Sequence, residues 1–94
     1  MKLSDFKVNG RCAEAAIGYC ALFYAARRFY GIDYATSQRR FKQGELPVDL
    51  VLHLDSLSDK ELSKIPKFGP ATISNLRTAS KVIREQMEEL EQAS

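Results

Sequence analysis

The chain has few of the residues from which metal centres and disulfide frameworks are built. Its 94 residues include one histidine, His53, and two cysteines, Cys12 and Cys20, without a C-x-x-C pair. A structural zinc site needs four such ligands, so we expect no metal site and no cofactor. The cysteines lie two turns apart in a predicted helix, which is too far for a mutual disulfide. We therefore expect reduced thiols in a cytoplasmic protein.

Long apolar runs and catalytic constellations are also missing. The longest apolar stretch, residues 15–26, is too short to cross a bilayer, and the polar first ten residues do not resemble a signal peptide. No paired carboxylates and no nucleophile with a base at motif spacing are present, and His53 is interpreted as a packing residue. These absences predict a protein that is not an enzyme and has no membrane span.

Positive and negative charge are separated along the chain. Residues 1–84 contain fourteen Lys and Arg against eight Asp and Glu, a charge of +6, whereas residues 85–94 carry four Glu and no base. The formal net charge of +2 conceals this split between a basic body and an acidic tail. The length and the 45% hydrophobic content predict a single globular domain, residues 1–94.

Hydrophobic periodicity predicts an all-α fold, a small bundle of about five helices. An apolar N-terminal helix over residues 11–30, ended by Gly31, follows a turn at Asn9-Gly10. Its five aromatic residues favour core or interface packing over base stacking. Residues 46–57 fit a strand or a helix, and Pro47 together with the lack of a partner strand favours the helix.

A basic patch is predicted on a short helix over residues 38–43, which Thr36 or Ser37 can cap. The patch consists of Arg39, Arg40 and Lys42, placed around Phe41. Basic residues beside an aromatic suit a nucleic-acid backbone, but charges on a short surface helix are more often only solvated.

The most informative segment is residues 58–76, and the pair of helices predicted there extends over residues 58–84. Ser58 and Glu61 match the S-x-x-E capping box that begins a helix. Gly69 is predicted at the chain reversal, and Pro70 suits the first position of the next helix. This pattern indicates two helices joined by a tight hairpin, in which the free N–H groups of the second helix can bind an anion such as phosphate.

The last helix, predicted from Pro70 to about Gln92, has a seam of apolar residues at alternating spacings of three and four. The seam consists of Ile73, Leu76, Ser80, Ile83, Met87 and Leu90. It continues into the acidic tail, residues 85–94, further than a core of this size needs. With the apolar first helix, it predicts a homodimer or a stable protein partner.

The segment 54–83 resembles the helix-hairpin-helix unit of the C-terminal domain of the bacterial RNA polymerase alpha subunit. The resemblance rests on Pro66-Lys67-Phe68-Gly69, and Gly69-Pro70-Ala71-Thr72 is common in the wider helix-hairpin-helix family of DNA-repair proteins. That family often has glycine at both ends of the hairpin, and Lys67 takes the first of these places here. The resemblance implies DNA binding and contacts with other transcription proteins.

Two functions are expected from these observations. The first is a small nucleic-acid-binding or transcription-associated module that grips the phosphate backbone, most naturally of DNA, with little sequence reading. The expected contacts are Lys67, the backbone N–H groups of Gly69 and Thr72, the Thr72 hydroxyl, and the charges of Lys64, Arg77 and Lys81. The alternative is a protein-interaction adaptor or inhibitor, such as a phage-type regulator, that uses this fold without nucleic acid.

Overall fold

Short helices and one long helix account for most of the chain. The computed structural model describes residues 2–40 and 46–93. Their elements are a 3-10 helix (Leu3–Asp5), β1 (Lys7–Val8), β2 (Arg11–Cys12), α1 (Ala13–Ile17), α2 (Tyr19–Tyr30), α3 (Tyr34–Arg40), α4 (Val48–Asp55), α5 (Asp59–Leu62) and α6 (Pro70–Ala93). The predicted, mostly helical fold with a long last helix is confirmed, with six α-helices in these ranges instead of about five. None of these helices is long and apolar enough to cross a membrane.

A two-stranded hairpin precedes the helices. Asn9 and Gly10, with φ of +54° and +81°, connect β1 to β2, and Val8 lies opposite Arg11. Two consecutive residues with positive φ are what the tightest hairpin turn requires, and Asn-Gly meets that requirement. The turn predicted here is confirmed. The helix predicted to begin at Arg11 is wrong at its start, because Arg11 and Cys12 pair as a strand.

Gly18 divides the predicted N-terminal helix in two. Its φ of +120° is incompatible with a helix, and its N–H donates to the Glu14 carbonyl at 2.9 Å, which closes α1. The Gly18 carbonyl then accepts from the N–H of Leu22 at 3.2 Å, in the first turn of α2. The single helix over residues 11–30 is therefore wrong. Gly31 ends α2 as predicted, in the left-handed conformation with φ of +67°.

The third helix begins earlier than its predicted bounds of 38–43. Asp33 caps it: its carboxylate accepts from the Thr36 N–H at 2.8 Å and from the Thr36 hydroxyl at 2.9 Å. Thr36 and Ser37 thus lie inside the helix and do not cap it. The predicted end of this helix, residues 41–43, lies outside the described residues.

The core lies between α6 and the helices on either side of it. The long helix packs against α1 and α4, and α2 packs against α3. Fully buried side chains from most elements meet there, the largest being Leu3, Leu22, Leu46, Leu50, Leu54, Leu62, Ile65, Leu76 and Ile83. The fourth helix confirms the helical interpretation of residues 46–57.

Most of the apolar seam of α6 packs against the protein's own core. Leu76, Ser80 and Ile83 are buried, and Ile73 and Met87 are half-buried against the core. Only Leu90, at 54% exposure, projects beyond it. The seam therefore gives less support to a dimer than its length in the sequence suggested.

Candidate nucleic-acid interface

The α5–α6 connection, residues 63–69, is held in place by two buried side chains. Its preceding helix begins as predicted, with Ser58 Oγ accepting from the Glu61 N–H at 3.2 Å. Ile65 and Phe68 are 2% and 4% exposed, and the Phe68 N–H donates to the Ile65 carbonyl at 3.2 Å. Because both side chains enter the core, the polar residues between and beside them stay at the surface in one fixed arrangement.

The chain reversal uses Lys67, not Gly69. Lys67 has φ of +73°, whereas Gly69 has no positive φ, and a Cβ built on Gly69 meets nothing within 4 Å. The prediction that the chain reverses at Gly69 is therefore wrong. A left-handed conformation is costly for residues other than glycine, asparagine and aspartate. Lys67 thus adopts a backbone conformation that glycine adopts without steric cost.

The start of α6 leaves main-chain N–H groups open. Pro70 is its first residue, as predicted, and the N–H of Ile73 donates to the Gly69 carbonyl at 3.0 Å. The N–H groups of Ala71 and Thr72 precede that first helical hydrogen bond and have no carbonyl within the helix to bind. They are available to an anion, and Lys67 is the nearest basic residue before them in the chain.

Four exposed basic residues lie next to Ile65 and Pro66, two of them along the chain and two through the fold. Lys64 and Lys67 flank this pair in the sequence, and both are exposed. Arg27 and Arg28 of α2 reach it through the fold, because they line one groove with Tyr24, Ile65 and Pro66. We call this the α2 groove; its volume is about 290 Å³. Among the described residues, none of the four cations has an acidic partner.

Arg27 and Arg28 are not among the residues predicted from the sequence to bind nucleic acid. The one feature of the sequence that points to them is the Arg-Arg pair directly after the apolar residues 15–26. That signal could be read equally well as two solvated charges in the last turn of a helix, where the helix dipole favours them. Their placement beside Pro66 depends on how α2 packs, which spacing along the chain does not reveal.

Arg77 does not face solvent as a free charge. Its Nη1 donates to the carbonyl of Asp55 at 2.6 Å and to Asp55 Oδ1 at 2.9 Å. Its Nη2 donates to the carbonyl of Leu57 at 2.7 Å and to Asp59 Oδ1 at 2.7 Å. Hydrogen bonds to Asp59 and Asp55 raise the pKa of Arg77 above its usual value. A guanidinium with four protein acceptors has little left for a phosphate, and its geometry is that of a structural clamp.

The remaining predicted residue on α6, Lys81, lies away from the connection. Lys81 is exposed, and a position eleven residues after Pro70 is about 16 Å along the helix axis. Arg84 beside it donates to Ser80 Oγ at 3.3 Å and lies 3.8 Å from Asp55 Oδ2. Lys64, Lys67, Gly69 and Thr72 thus belong to the connection and the first turn of α6, and Lys81 lies further along that helix. Arg77 lines a groove with Phe68 and Pro70, but Asp55 and Asp59 hold its guanidinium.

The second basic patch lies on α3, in part. Arg39 and Arg40 are exposed on this helix, and Arg39 donates to Thr36 Oγ1 at 3.4 Å. Lys42 lies outside the described residues. This patch on α3 is an alternative surface for binding nucleic acid, and that role stays a prediction.

Comparison of the chain with protein-family models, with curated proteins and with solved structures gives no match. The helix-hairpin-helix resemblance of residues 54–83 therefore rests on the residues quoted for it. Function has to be argued from the geometry of the site.

Proposed function

We propose that this protein binds nucleic acid through its phosphate backbone, with the α5–α6 connection and the last turn of α2 as the contact surface. The observation that carries the proposal is the groove in which Arg27 and Arg28 lie beside Ile65 and Pro66, the pair that Lys64 and Lys67 flank in the sequence. All four cations are exposed and have no acidic partner among the described residues. Cations without acidic partners attract the phosphates of a nucleic-acid backbone. Such contacts give affinity that depends little on the base sequence.

Main-chain groups supply the second part of the grip. One phosphate would accept from the open N–H groups of Ala71 and Thr72 and from the Thr72 hydroxyl, while Lys67 adds charge. Neighbouring phosphates would lie against Lys64 and the two arginines of α2. This arrangement also supports the proposal that residues 54–83 form a helix-hairpin-helix unit, because a one-turn helix, a glycine-like backbone at Lys67 and a helix begun by Pro70 follow in order.

The experiment is a titration of short labelled duplex and single-stranded DNA with the protein over a salt series, followed by fluorescence anisotropy. Each phosphate contact contributes about 0.9 to the slope of log affinity against log salt on duplex DNA. The double variant Arg27→Ala/Arg28→Ala and the double variant Lys64→Ala/Lys67→Ala should each weaken binding and flatten that slope by up to about 2. DNA versus RNA is decided by repeating the titration with RNA of the same sequence.

The double variant Lys2→Ala/Lys7→Ala is the charge-matched control, because both lysines are exposed and lie far from the connection in sequence. It should leave both affinity and slope unchanged. Absence of binding to every nucleic acid at low salt would refute the proposed function. An equal loss in the control and in the double variants would show that only overall charge matters.

A protein partner is the second candidate function, and one specific feature favours it. A groove of about 490 Å³ between α5 and α6 is lined by Phe68, Pro70 and Ile73, among others. Tyr19, Tyr30 and Leu90 are the large apolar side chains most exposed among the described residues. Sedimentation at micromolar concentration tests the predicted homodimer directly, and a monomer would leave only a different protein as partner.

A further inference from the structure

We infer that the α2 groove takes one unpaired base of a single strand, stacked on Tyr24, while Arg27 and Arg28 hold the phosphates on either side of that base. The inference rests on the proposed function and adds the class of nucleic acid, namely single strands and unpaired ends in preference to a closed duplex. A nucleotide fits both the apolar lining of the groove and its positive charge.

The lining of the groove is the first step. Ile65 and Pro66 form an apolar wall beside the Tyr24 ring, and the two arginines complete the groove. Its volume of about 290 Å³ is near the lower limit of small-molecule sites and suits a single flat group. Proteins that bind single strands combine these same parts, a basic track and aromatic side chains on which bases stack.

The Tyr24 ring is held in one orientation by its neighbours. Its centroid lies 5.2 Å from that of Tyr34, and Tyr34 in turn meets Phe23 edge-to-face at 5.5 Å. The Tyr34 hydroxyl donates to Cys20 Sγ at 3.3 Å, which fixes the far side of the cluster. Tyr24 is half-buried, so one part of its ring packs inward while another lines the groove. A ring already fixed in place loses little freedom when a base stacks on it.

Other anionic partners use this groove less completely. A closed duplex keeps its bases stacked and paired, so it can bring phosphates to Arg27 and Arg28 but cannot place a base on Tyr24 without the cost of flipping it out. The carboxylates of an acidic peptide can pair with the arginines, but they do not stack on the aromatic ring. An unpaired nucleotide brings a flat π-face and its phosphates together, and so can contact both the ring and the arginines.

The test compares one single-stranded oligonucleotide with its blunt duplex, using Tyr24→Leu and Tyr24→Phe. Tyr24→Leu keeps the apolar volume and removes the ring, so single-strand affinity should fall about tenfold, the loss expected for one stacked base, while duplex affinity should not change. Tyr24→Phe keeps the ring and should bind as the parent does. Thermal melting and circular dichroism establish that each variant is folded.

A second readout does not depend on the leucine variant being stable. The chain has no tryptophan, so Tyr24→Trp introduces a single reporter at the proposed stacking position. Its fluorescence should be quenched by the single strand and by a duplex with an unpaired end, and not by the blunt duplex. Inorganic phosphate and a poly-glutamate peptide serve as further probes, and neither should quench it.

The outcomes separate this inference from the proposed function. Suppose the duplex binds with a slope that depends on Lys64 and Lys67, while Tyr24→Leu leaves the single strand unaffected and Tyr24→Trp is not quenched. The base site is then wrong and the phosphate grip is retained. Binding of the poly-glutamate peptide through Arg27 and Arg28, without any effect of oligonucleotides, would overturn both.

Discussion

The guanidinium of Arg77 joins α6 to the carboxyl end of α4 through Asp55, to which Nη1 donates twice. One acceptor is the Asp55 main-chain carbonyl at 2.6 Å, and the other is its carboxylate at 2.9 Å. The second oxygen of that carboxylate accepts from Ser80 Oγ at 2.9 Å. A cation at the end of a helix stabilises the carbonyls that have no partner within it. Asp55 is therefore the centre of a network that fixes where α6 crosses α4.

Arg77→Ala should destabilise the fold. It removes charge-assisted hydrogen bonds to two carbonyls and leaves the Asp55 carboxylate with weaker partners. The side chains are about one-third and one-quarter exposed, so solvent takes over part of this loss, and we expect a decrease of about 1–3 kcal/mol in the free energy of unfolding. Arg77→Lys should not rescue it, since an ammonium cannot reproduce the planar fork.

Urea denaturation measures this effect, with Arg84→Ala as the control. Arg84 is half-exposed and its ion pair with Asp55 is 3.8 Å long, so its loss should cost at most about 0.5 kcal/mol. If Arg77→Ala keeps full stability and instead flattens the salt slope of nucleic-acid binding, Arg77 belongs to the contact surface, as its position in the sequence suggested.

Lys67→Gly should stabilise the protein relative to Lys67→Ala. Both variants remove the charge, and they differ in the cost of a backbone at φ of +73°. Glycine adopts that conformation freely, so the difference should be about 1 kcal/mol in its favour. Equal melting temperatures for the two variants would mean that residue 67 does not adopt positive φ in solution.

Gly69→Ala should hardly change the free energy of unfolding, whereas the same substitution at a glycine with positive φ should lower it. Gly69 has no positive φ, and a Cβ there would meet nothing within 4 Å. Gly31→Ala is the matched comparison, because Gly31 has equally open surroundings and φ of +67°. Gly31→Ala should lower the free energy of unfolding by about 1 kcal/mol, measured by thermal denaturation of both variants. A larger loss for Gly69→Ala than for Gly31→Ala would reverse this assignment.

Glu14→Met should increase stability. Glu14 is 2% exposed on α1, and its Oε2 has no hydrogen-bond partner among the described residues. Burial, with a contribution from the nearby Glu14, raises the pKa of the Tyr19 hydroxyl. Replacing an unpaired buried carboxylate by an apolar side chain of similar size should add about 1 kcal/mol or more. Glu85→Met, at an exposed position within α6, is the control for helix propensity. A loss of stability in Glu14→Met would show that the carboxylate has a partner.

Asp33→Asn should make the protein less sensitive to acid. Hydrogen bonds from the Thr36 N–H and hydroxyl lower the pKa of Asp33 below its ordinary 3.8. A lowered pKa in the folded state means that the cap contributes fully above that ordinary value and is lost as the pH falls through the lower one. Asparagine accepts at the cap without titrating. Melting temperature measured against pH should therefore decline less steeply for the variant in the acid range, and parallel profiles would contradict the cap.

The Arg39→Ala/Arg40→Ala double variant should affect nucleic-acid binding less than Lys67→Ala. Lys67→Ala should weaken binding to all sequences alike and reduce the salt slope by up to about 1. Lys81→Ala was predicted to act in the same way, and its distance along α6 should make its effect smaller. If the arginine pair on α3 abolishes binding while Lys67→Ala changes nothing, the contact surface lies on α3.

Features set by neighbouring residues were predictable from the sequence alone. The Asn9-Gly10 turn, the end of α2 at Gly31, the Ser58 cap and the start of α6 at Pro70 all depend on backbone preferences within a few residues. The break at Gly18 was not predictable in this way. One glycine within an alanine-rich pattern costs a helix only about 1 kcal/mol, so packing decides whether the helix continues.

The candidate site depended on tertiary structure, because charge reveals function only once its partners are known. In the sequence, Arg77 and Lys81 look equivalent on one flank of α6, and Arg27 and Arg28 look like ordinary charges at a helix end. Packing of α6 on α4 brings Asp55 to Arg77, and Asp59 at the start of α5 forms a second ion pair with it. These two carboxylates neutralise the charge of Arg77. Packing of α2 beside Pro66 places the two arginines at the surface, where no acidic residue in the described part of the chain pairs with them. Contacts between residues far apart in the chain decide both outcomes, and spacing along a helix carries no information about them.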